Sequence, residues 1–218
     1  MKTIVLLSGG LDSTLALYSV LAEIREEHGE CGHYDPVAIN FRYGQVHERE
    51  IRAARDVCAQ ARVKLVEHDL GSCLDVSDVP GAVVPARNLV FLAAAASYAG
   101  GEPARIVIGA CSEDRLGFPD CRPEFFKATE TAFQAAALPV KIATPFLHLT
   151  KGEAITETLE AATESGHYAS LLLSLGESWS CYDPHDHPGI ERPCGVCLAC
   201  LFRRDGFKEA GLEDPSCW

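Results

Sequence analysis

The sequence has little positive charge for its length. Its 218 residues include 19 Lys and Arg against 31 Asp and Glu, a formal net charge of −12 at pH 7. Proteins that bind nucleic acids usually present a basic surface to the phosphate backbone, so this balance disfavours such a partner. The sequence also lacks an apolar run near the roughly 20 residues that a membrane-spanning helix needs. We therefore expect neither a nucleic acid nor a membrane as a partner.

The sequence leaves no room for a secretory leader, because the first predicted strand covers Lys2–Leu7. We therefore expect a cytoplasmic protein. Ten cysteines are many for that compartment, where disulfides are rare. Four of them, Cys31, Cys58, Cys73 and Cys111, are scattered and are typical of small core residues or of cysteines without a particular role. A second group clusters near the end of the chain and indicates a different role.

The first polar motif directly follows the first predicted strand. Ser8-Gly9-Gly10-Leu11-Asp12-Ser13-Thr14 joins this strand to a segment whose apolar residues recur at helical spacing. Glycines let a ligand approach the backbone closely, and the free N–H groups at a helix start bind anions. Phosphate is therefore the expected ligand. The motif is not a Walker A loop, because no Gly-Lys-Ser/Thr follows at the required spacing.

Predicted strands and helices alternate along most of the chain. Further strands are predicted at Val37–Phe41, Val63–Leu70, Arg105–Ala110 and Val140–Thr144. Such alternation is typical of a parallel sheet covered by helices on both faces. We predict an α/β fold with a Rossmann-like sheet of five parallel strands in residues 1–175 and a small unit in residues 176–218. In such sheets, ligands bind beyond the carboxyl ends of the strands.

Four polar segments, including the Ser8–Thr14 loop, follow predicted strands or begin predicted helices, so the fold should bring them to one cleft. Besides that loop, they supply Tyr43, Gln45, His47, Arg87, Asn88, Asp114, Phe118, Asp120, Cys121 and Arg122. Aromatic and amide groups can bind a purine-like ring, and arginines can bind a carboxylate or a phosphate. Asp120 can pair with the amidine-like edge of a heterocycle or cap a helix, and Asn88 can also cap a helix. Lys151, at the start of the last predicted helix, can contact an ATP phosphate or lie on the surface.

Four cysteines near the end of the sequence have the spacing of a metal site. They are Cys181, Cys194, Cys197 and Cys200. Four thiolates with no open position suit a structural Zn²⁺ ion, whereas an iron–sulfur cluster is an alternative with this spacing. His185 and His187 lie in the intervening loop and are alternative ligands. We predict that Zn²⁺ stabilises the last ~40 residues, which are too few to build a core alone.

Several segments carry a family resemblance. The Ser-Gly-Gly-x-Asp-Ser motif resembles the PP-loop of ATP pyrophosphatases, which cleave ATP between the α and β phosphates and adenylate an acceptor. Other segments resemble the signature sequences of 7-cyano-7-deazaguanine synthases. These are Phe41–His47, Val84–Asn88, Pro119–Phe125, Trp179–Tyr182, and Pro193–Cys200 with Arg203. The resemblance runs from Ser8 to Pro215 and implies an adenine-nucleotide α-hydrolase-like fold.

The resemblance implies a ligase of queuosine biosynthesis. Such an enzyme converts 7-carboxy-7-deazaguanine to the nitrile with ammonia and two ATP, used with Mg²⁺. It implies that the Ser8–Thr14 loop holds the nucleotide and that Asp12, Ser13 and Lys151 carry catalysis. The other polar segments would bind the deazaguanine, and a homodimer is expected. Because adenylation already activates the acid, no covalent nucleophile is needed, and Cys121 is assigned to substrate binding.

One departure from the family pattern keeps alternatives open. Arg115, Leu116 and Phe118 stand where tyrosines and a serine are expected, next to the predicted substrate pocket. A relative that activates the same acid for a different amine is therefore one alternative. A PP-loop ligase or sulfur transferase acting on tRNA would use the cysteines for sulfur chemistry, but the acidic charge opposes it. A zinc-ribbon interaction module without enzymatic activity would leave the Ser8–Thr14 loop unexplained.

Overall fold

The computed structural model of the protein describes residues 1–29, 35–44, 48–74, 84–187 and 190–216. Its central element is a sheet of five parallel strands in the order β3-β2-β1-β4-β5. The strands are β1 (Lys2–Leu6), β2 (Val37–Arg42), β3 (Lys64–Asp69), β4 (Ala104–Ile108) and β5 (Val140–Ala143). The predicted five-stranded parallel sheet is therefore confirmed.

Helices cover both faces of this sheet. They are α1 (Leu11–His28), α2 (Arg49–Ala61), α3 (Arg87–Ala99), α4 (Asp114–Gly117), α5 (Pro123–Ala135), α6 (Lys151–Glu164), α7 (Tyr168–Glu177) and α8 (Leu198–Glu209). The sequence analysis did not predict α4, α7 or α8; the leucines of α7 follow one another without a clear helical period. A short antiparallel pair, β6 (His185–His187) and β7 (Ile190–Arg192), precedes α8. No helix within the described ranges is long and apolar enough to cross a membrane.

Two hydrophobic cores lie on opposite faces of the sheet. Val5 and Leu7 of the β1 segment pack with α1, α2, α6 and α7 on one face. Ile4 and Leu6 pack with α3 and α5 on the other. Strands buried on both faces are typical of parallel sheets, since the crossover helices cover each side. The carboxyl ends of the strands therefore meet at one edge, which the connecting loops build up.

Two glycines let neighbouring elements close on the β1–α1 loop. Gly9 has φ +94°, and a Cβ there would lie 2.7 Å from the backbone N of Ala54 and against the backbone O of Glu50. A Cβ on Gly109, just after β4, would collide with the backbone of Asp12. A side chain at either position would force the backbones apart. The loop is thus clamped between α2 and the end of β4.

A buried arginine joins the chain's last segments. The side chain of Arg203, on α8, is 1% exposed and donates to both carboxylate oxygens of Asp214 at 2.6 and 2.8 Å. It also donates to the Ser178 hydroxyl and to the backbone carbonyl of Leu175, each at 2.7 Å. Four acceptor atoms, at the end of α7 and in the segment after α8, therefore share one guanidinium.

We expect Arg203→Met to destabilise the protein by about 3–5 kcal/mol, because it removes the buried positive charge that pairs with Asp214 and the hydrogen bonds to Ser178 and Leu175. Urea unfolding monitored by circular dichroism measures the loss. Arg204→Met is the matched control, since that neighbouring side chain is 65% exposed and should change stability by less than about 0.5 kcal/mol. A loss below about 1 kcal/mol for Arg203→Met would contradict this role.

Candidate functional site

A cavity of about 730 Å³ lies at the carboxyl edge of the sheet. Its lining comes from the β1–α1 loop, the end of β2, the first turns of α2 and α3, and the segment after β4. The starts of α6 and α8 and the segment after α7 complete it. This position agrees with the general placement of ligands in open parallel sheets. The fold therefore gathers segments that are far apart in the sequence into one cleft.

The predicted site residues fall into three groups. Those that line the cavity are Ser8, Gly10, Leu11, Asp12, Ser13, Tyr43, Arg87, Asn88, Asp114, Phe118, Cys121 and Lys151. Gly9, Thr14, Asp120 and Arg122 belong to the described part of the chain but lie outside the lining. Gln45 and His47 fall outside the described residues.

Asp120 and Arg122, which lie outside the cavity lining, have hydrogen-bond partners within the protein. The Asp120 carboxylate accepts from the backbone N–H of Asn88 at 3.3 Å and so satisfies the first turn of α3. The amide of Asn88 donates in turn to the Asp120 carbonyl at 3.2 Å. Arg122 is exposed, and its Nε donates to the Arg115 carbonyl at 3.3 Å. These contacts match the capping and surface alternatives, and a substrate role for either residue stays a prediction.

The β1–α1 loop has the form of an anion site. The Ser8 Oγ accepts from the backbone N–H of Gly10 at 3.2 Å and lies 3.0 Å from the Ser13 Oγ. Helix α1 starts at Leu11, and its N-cap is a glycine, so no cap side chain competes for its first N–H groups. Two hydroxyls and a helix N-terminus therefore point to a phosphate at this end of the cavity.

Lys151 stands between two carboxylates beside this loop. Its Nζ lies 2.7 Å from an oxygen of Asp12 and 3.3 Å from one of Asp114. The residue is 5% exposed, so the surface-lysine alternative is wrong. Its position is fixed by the start of α6, where Thr150 and Glu153 form a reciprocal capping box. The backbone N–H of Lys151 also donates to the Glu113 carboxylate at 2.9 Å.

Electrostatic interactions with two carboxylates keep the Lys151 ammonium charged. Burial opposes the charge on Lys151, but the carboxylates of Asp12 and Asp114 hold its pKa above the ordinary value. Burial, with Asp12 nearby, raises the pKa of Asp114. Two carboxylates and one ammonium leave a net negative charge when all three are ionised. Ligand atoms of Asp12, Asp114 and Cys111 lie within 4.8 Å of one another, and the carboxylate oxygens suit Mg²⁺.

The other end of the cavity is aromatic and carries a second pair of charges. The rings of Phe41 and Phe91 stack with centroids 4.7 Å apart, and Tyr43 lies 5.3 Å from Phe91. The Arg87 side chain is hydrogen-bonded to Tyr43 and within electrostatic reach of Glu50. Burial raises the pKa of Tyr43, although Arg87 opposes the rise. Rings beside an arginine suit a flat, acidic heteroaromatic ligand.

Sequence reasoning missed several cavity residues, among them Asn40, Glu50, Ser180 and Tyr182. Asn40 is 2% exposed, and its amide N–H donates to the Leu7 carbonyl at 2.8 Å. Its Oδ1 has no hydrogen-bond partner among the residues that the structure describes. An amide within the apolar run of β2 was the available signal. The sequence signal for Glu50 is weaker, because acidic residues are common in the first turn of any helix.

The four predicted cysteines come together next to the cavity, and Cys197 also lines it. Their Sγ atoms all lie within 4.8 Å of one another, with 3.9 Å between Cys194 and Cys200 and 3.4 Å between Cys197 and Cys200. A tetrahedral ion with Zn–S bonds near 2.3 Å would place sulfurs about 3.8 Å apart, so the donor set fits one ion. The backbone N–H of Cys194 donates to the Cys181 Sγ at 3.2 Å, which orients that ligand.

The segment before Cys181 joins this centre to the β1–α1 loop. The backbone N–H of Trp179 donates to the Gly9 carbonyl at 2.8 Å, and the Ser180 Oγ accepts from the N–H of Leu11 at 3.4 Å. The Trp179 indole N–H donates to the Cys181 carbonyl at 3.1 Å. Two hydrogen bonds to the loop thus come from the two residues that precede Cys181, one of the four clustered cysteines.

Comparison with known proteins identifies relatives along the whole chain. A family model described as "Queuosine biosynthesis protein QueC" matches residues 2–77 and 72–211. The chain is 40% identical over 236 residues to the 7-cyano-7-deazaguanine synthase of Erythrobacter litoralis, covering 96% of this chain and 89% of the relative. It is 37% identical over 239 residues to the 7-cyano-7-deazaguanine synthase of Desulfitobacterium hafniense, covering 98% and 91%.

A solved structure supports the fold. The U34-tRNA thiolase NcsA of Methanococcus maripaludis, described with its [4Fe-4S] cluster, aligns with a TM-score of 0.51 at 18% identity. The alignment covers 100% of this chain and 84% of that protein. At this identity the likeness concerns the fold alone, and it agrees with the predicted Rossmann-like parallel-sheet fold.

Proposed function

The chain belongs to the QueC family of 7-cyano-7-deazaguanine synthases, and from that premise we propose how its cavity carries out the reaction. It is an ATP-dependent enzyme of queuosine biosynthesis that acts on small molecules. We propose that it converts 7-carboxy-7-deazaguanine and ammonia to the nitrile. The observation that carries this proposal is the single cavity, with the phosphate-type loop and Lys151 at one end and aromatic rings with Arg87 at the other.

The reaction divides into two activations. The substrate carboxylate attacks the α-phosphorus of ATP, which gives an acyl adenylate and pyrophosphate. Ammonia attacks the acyl carbon, AMP leaves, and a proton is released to give the amide. The amide oxygen attacks the α-phosphorus of a second ATP, which releases a second pyrophosphate. Loss of AMP and of both N–H protons then forms the carbon–nitrogen triple bond. The protein has to position reactants and stabilise negative charge on the phosphates.

The polar end of the cavity would perform the phosphate chemistry. The Ser8–Thr14 loop binds the ATP phosphates through its hydroxyls and the N–H groups of α1. Lys151 moves toward the pyrophosphate as its charge develops, away from Asp12 and Asp114. These two carboxylates would hold Mg²⁺, which neutralises phosphate charge when it is bound.

The aromatic end would hold the acid. Arg87 pairs with the substrate carboxylate, and the rings of Tyr43 and Phe91 pack against the heterocycle. Burial, together with the negative charge of Asp114 and Asp120, raises the pKa of Cys121 to about 12. Its thiol therefore stays protonated at neutral pH and is a poor nucleophile. This agrees with direct attack of ammonia on the adenylate and with a binding role for Cys121.

We propose that residues 176–218 form a subdomain stabilised by one Zn²⁺ ion. A cluster of four irons would hold the cysteine sulfurs farther apart than a single ion does, and the observed spacing favours the single ion. We also propose a cytoplasmic homodimer. Leu116, 85% exposed at the cavity mouth, and the exposed Leu198 give an apolar rim that a second copy would cover. Light scattering coupled to gel filtration measures the mass that tests this assembly.

Two residues near the mouth of the cavity favour one second candidate function. Leu116 and Phe118, which depart from the family pattern, line the mouth of the cavity. Different side chains at the mouth of the cavity can let an amine larger than ammonia reach the same acyl adenylate. In that case the product is a deazaguanine amide of the larger amine.

Mass spectrometry of the products tests these proposals. Purified protein is mixed with ATP, Mg²⁺, ammonium and 7-carboxy-7-deazaguanine. The nitrile with AMP is the expected result. Pyrophosphate release with the reaction halted at the acyl adenylate favours the larger amine. The absence of both pyrophosphate and AMP in every mixture contradicts both candidates.

A further inference from the structure

We propose that Glu50 binds the N–H edge of the deazaguanine, its ring N–H and exocyclic 2-amino group, and so selects guanine-type acids over analogues without that amino group. This inference rests on the proposed function and adds the residue that determines its ring specificity. A guanine-type ring presents two adjacent donors on this edge, and an ionised carboxylate presents two acceptors. Such charge-assisted pairs are strong and directional.

Most cavity carboxylates in the described part of the chain are already engaged. Asp12 and Asp114 pair with Lys151. Glu113 accepts from the backbone N–H of that lysine at 2.9 Å and from the Ser112 hydroxyl at 3.1 Å. Their oxygens therefore serve the phosphate end and the start of α6.

Two carboxylates remain, and only one is enclosed. Asp183 is exposed and follows the metal-ligating Cys181 closely. Glu50 lies in the first turn of α2, where its backbone carbonyl abuts Gly9, and it lines the cavity. Among the residues that the structure describes, no donor hydrogen-bonds to its carboxylate. Two acceptor oxygens are thus held inside the cavity at a clamped position.

Arg87 and Glu50 carry opposite charges and line the same cavity. Arg87 acts electrostatically on Glu50, yet no nitrogen–oxygen pair between them comes within the 4.0 Å of an ion pair. Tyr43, next to Phe91, is within electrostatic reach of both. The substrate carries its carboxylate and its N–H edge on opposite sides of a flat ring. A ring between Arg87 and Glu50 would satisfy both charges.

The desolvation free energy of the buried Glu50 carboxylate supports a functional role for this residue. Burial raises the pKa of Glu50 to about 6, so it is mostly ionised at neutral pH but poorly solvated. A desolvated charge destabilises the folded protein unless a partner satisfies it. A bound donor edge supplies that partner.

Substrate discrimination tests the assignment. The ratio of kcat/KM for 7-carboxy-7-deazaguanine to that for its 2-desamino analogue is measured at saturating ATP. We expect the native enzyme to prefer the guanine-type acid by about 10–100-fold, the worth of one hydrogen bond to a charged group. Glu50→Ala should reduce this preference to within about threefold and leave the KM for ATP within about twofold. Glu48→Gln is the matched control, because Glu48 is exposed at the same helix end and should behave as the native enzyme.

Thermal unfolding supplies a second readout. Glu50 has a folded-state pKa above its unfolded value, so its contribution to stability is lost as the pH rises through about 6. Glu50→Gln should therefore raise the unfolding midpoint at neutral pH and leave it unchanged well below pH 4.5. The same variant should lose substrate preference, a combination that a purely structural residue would not show.

Two results would overturn the inference: a preference that persists in Glu50→Ala, or a KM for ATP that rises as much as the KM for the acid. Failure of the proposed function is distinguishable, because the native enzyme would then form no nitrile. Calorimetric binding of the acid and its 2-desamino analogue to the native protein and to Glu50→Ala still decides the question. Equal affinity of the native protein for both compounds would contradict the assignment.

Discussion

Replacing Lys151 with methionine lowers kcat by about 10³-fold, because a buried charge that stabilises the departing pyrophosphate is lost. The Lys151 Nζ lies 2.7 Å from an oxygen of Asp12, which belongs to the Ser8–Thr14 loop. The ammonium therefore has direct access to phosphates bound at that loop. Methionine has nearly the same length, so the α6 start should keep its capping box. The rate of AMP formation at saturating ATP and Mg²⁺ measures the effect.

The control is Lys127→Met, an exposed lysine on α5 that should leave kcat unchanged. Loss of folding is distinguished from loss of chemistry by circular dichroism and by calorimetric ATP binding, which should survive the Lys151 change in weakened form. Repulsion between Asp12 and Asp114 also rises without the lysine, so we expect a lower unfolding midpoint that Mg²⁺ partly restores. A decrease in kcat below about tenfold would rule out the assigned role.

Removing the metal weakens ATP binding as well as stability. In Cys197→Ser, one of four thiolate ligands is lost, and we expect less than about 0.1 metal ion per chain after dialysis. Trp179 and Ser180 then lose the anchor that holds them against Gly9 and Leu11. Two hydrogen bonds at about 1 kcal/mol each correspond to a dissociation constant for ATP that is about 30-fold higher.

Fluorescence separates this coupling from general unfolding. Trp179 is buried, and in a Trp218→Phe background it is the one remaining tryptophan of the two in the sequence. Its emission should shift to longer wavelength in Cys197→Ser while the sheet retains its circular dichroism signal. Cys73→Ser is the control, because Cys73 is an exposed cysteine outside the metal group. ATP affinity that stays unchanged after complete metal loss would show that the centre does not support the loop.

The local sequence was sufficient where neighbouring residues decide the structure. The alternation of apolar strands and helices predicted the parallel sheet, because burial on both faces requires continuous apolar runs. The Ser8–Thr14 motif predicted a strand–turn–helix anion site, and the Cys-x-x-Cys steps predicted a thiolate group. Each signal lies within a few residues or in a regular spacing. The four cysteines indeed come within 4.8 Å of one another.

Long-range packing decided what the sequence left open. Lys151 could have been a surface lysine, and only the approach of α6 to the β1–α1 loop places it against Asp12, 139 residues away. Asp120 had two interpretations, and the structure shows its contact with the start of α3. The leucine-rich sequence of α7 has no clear helical period. Its burial results from packing against α2, α1 and α6, which the sequence does not show.

Glu50 illustrates the same division most clearly. In the sequence it is one of many acidic residues at a helix start, and no local pattern separates it from its exposed neighbour Glu48. Only the clamp of α2 against Gly9 and the convergence of Arg87 enclose its carboxylate in the cavity. The sequence by itself determined the fold class, the strand–turn–helix loop at Ser8–Thr14 and the grouping of the four cysteines. The partners of buried charges were decided by the tertiary structure, because electrostatic environment depends on distances that chain order does not specify.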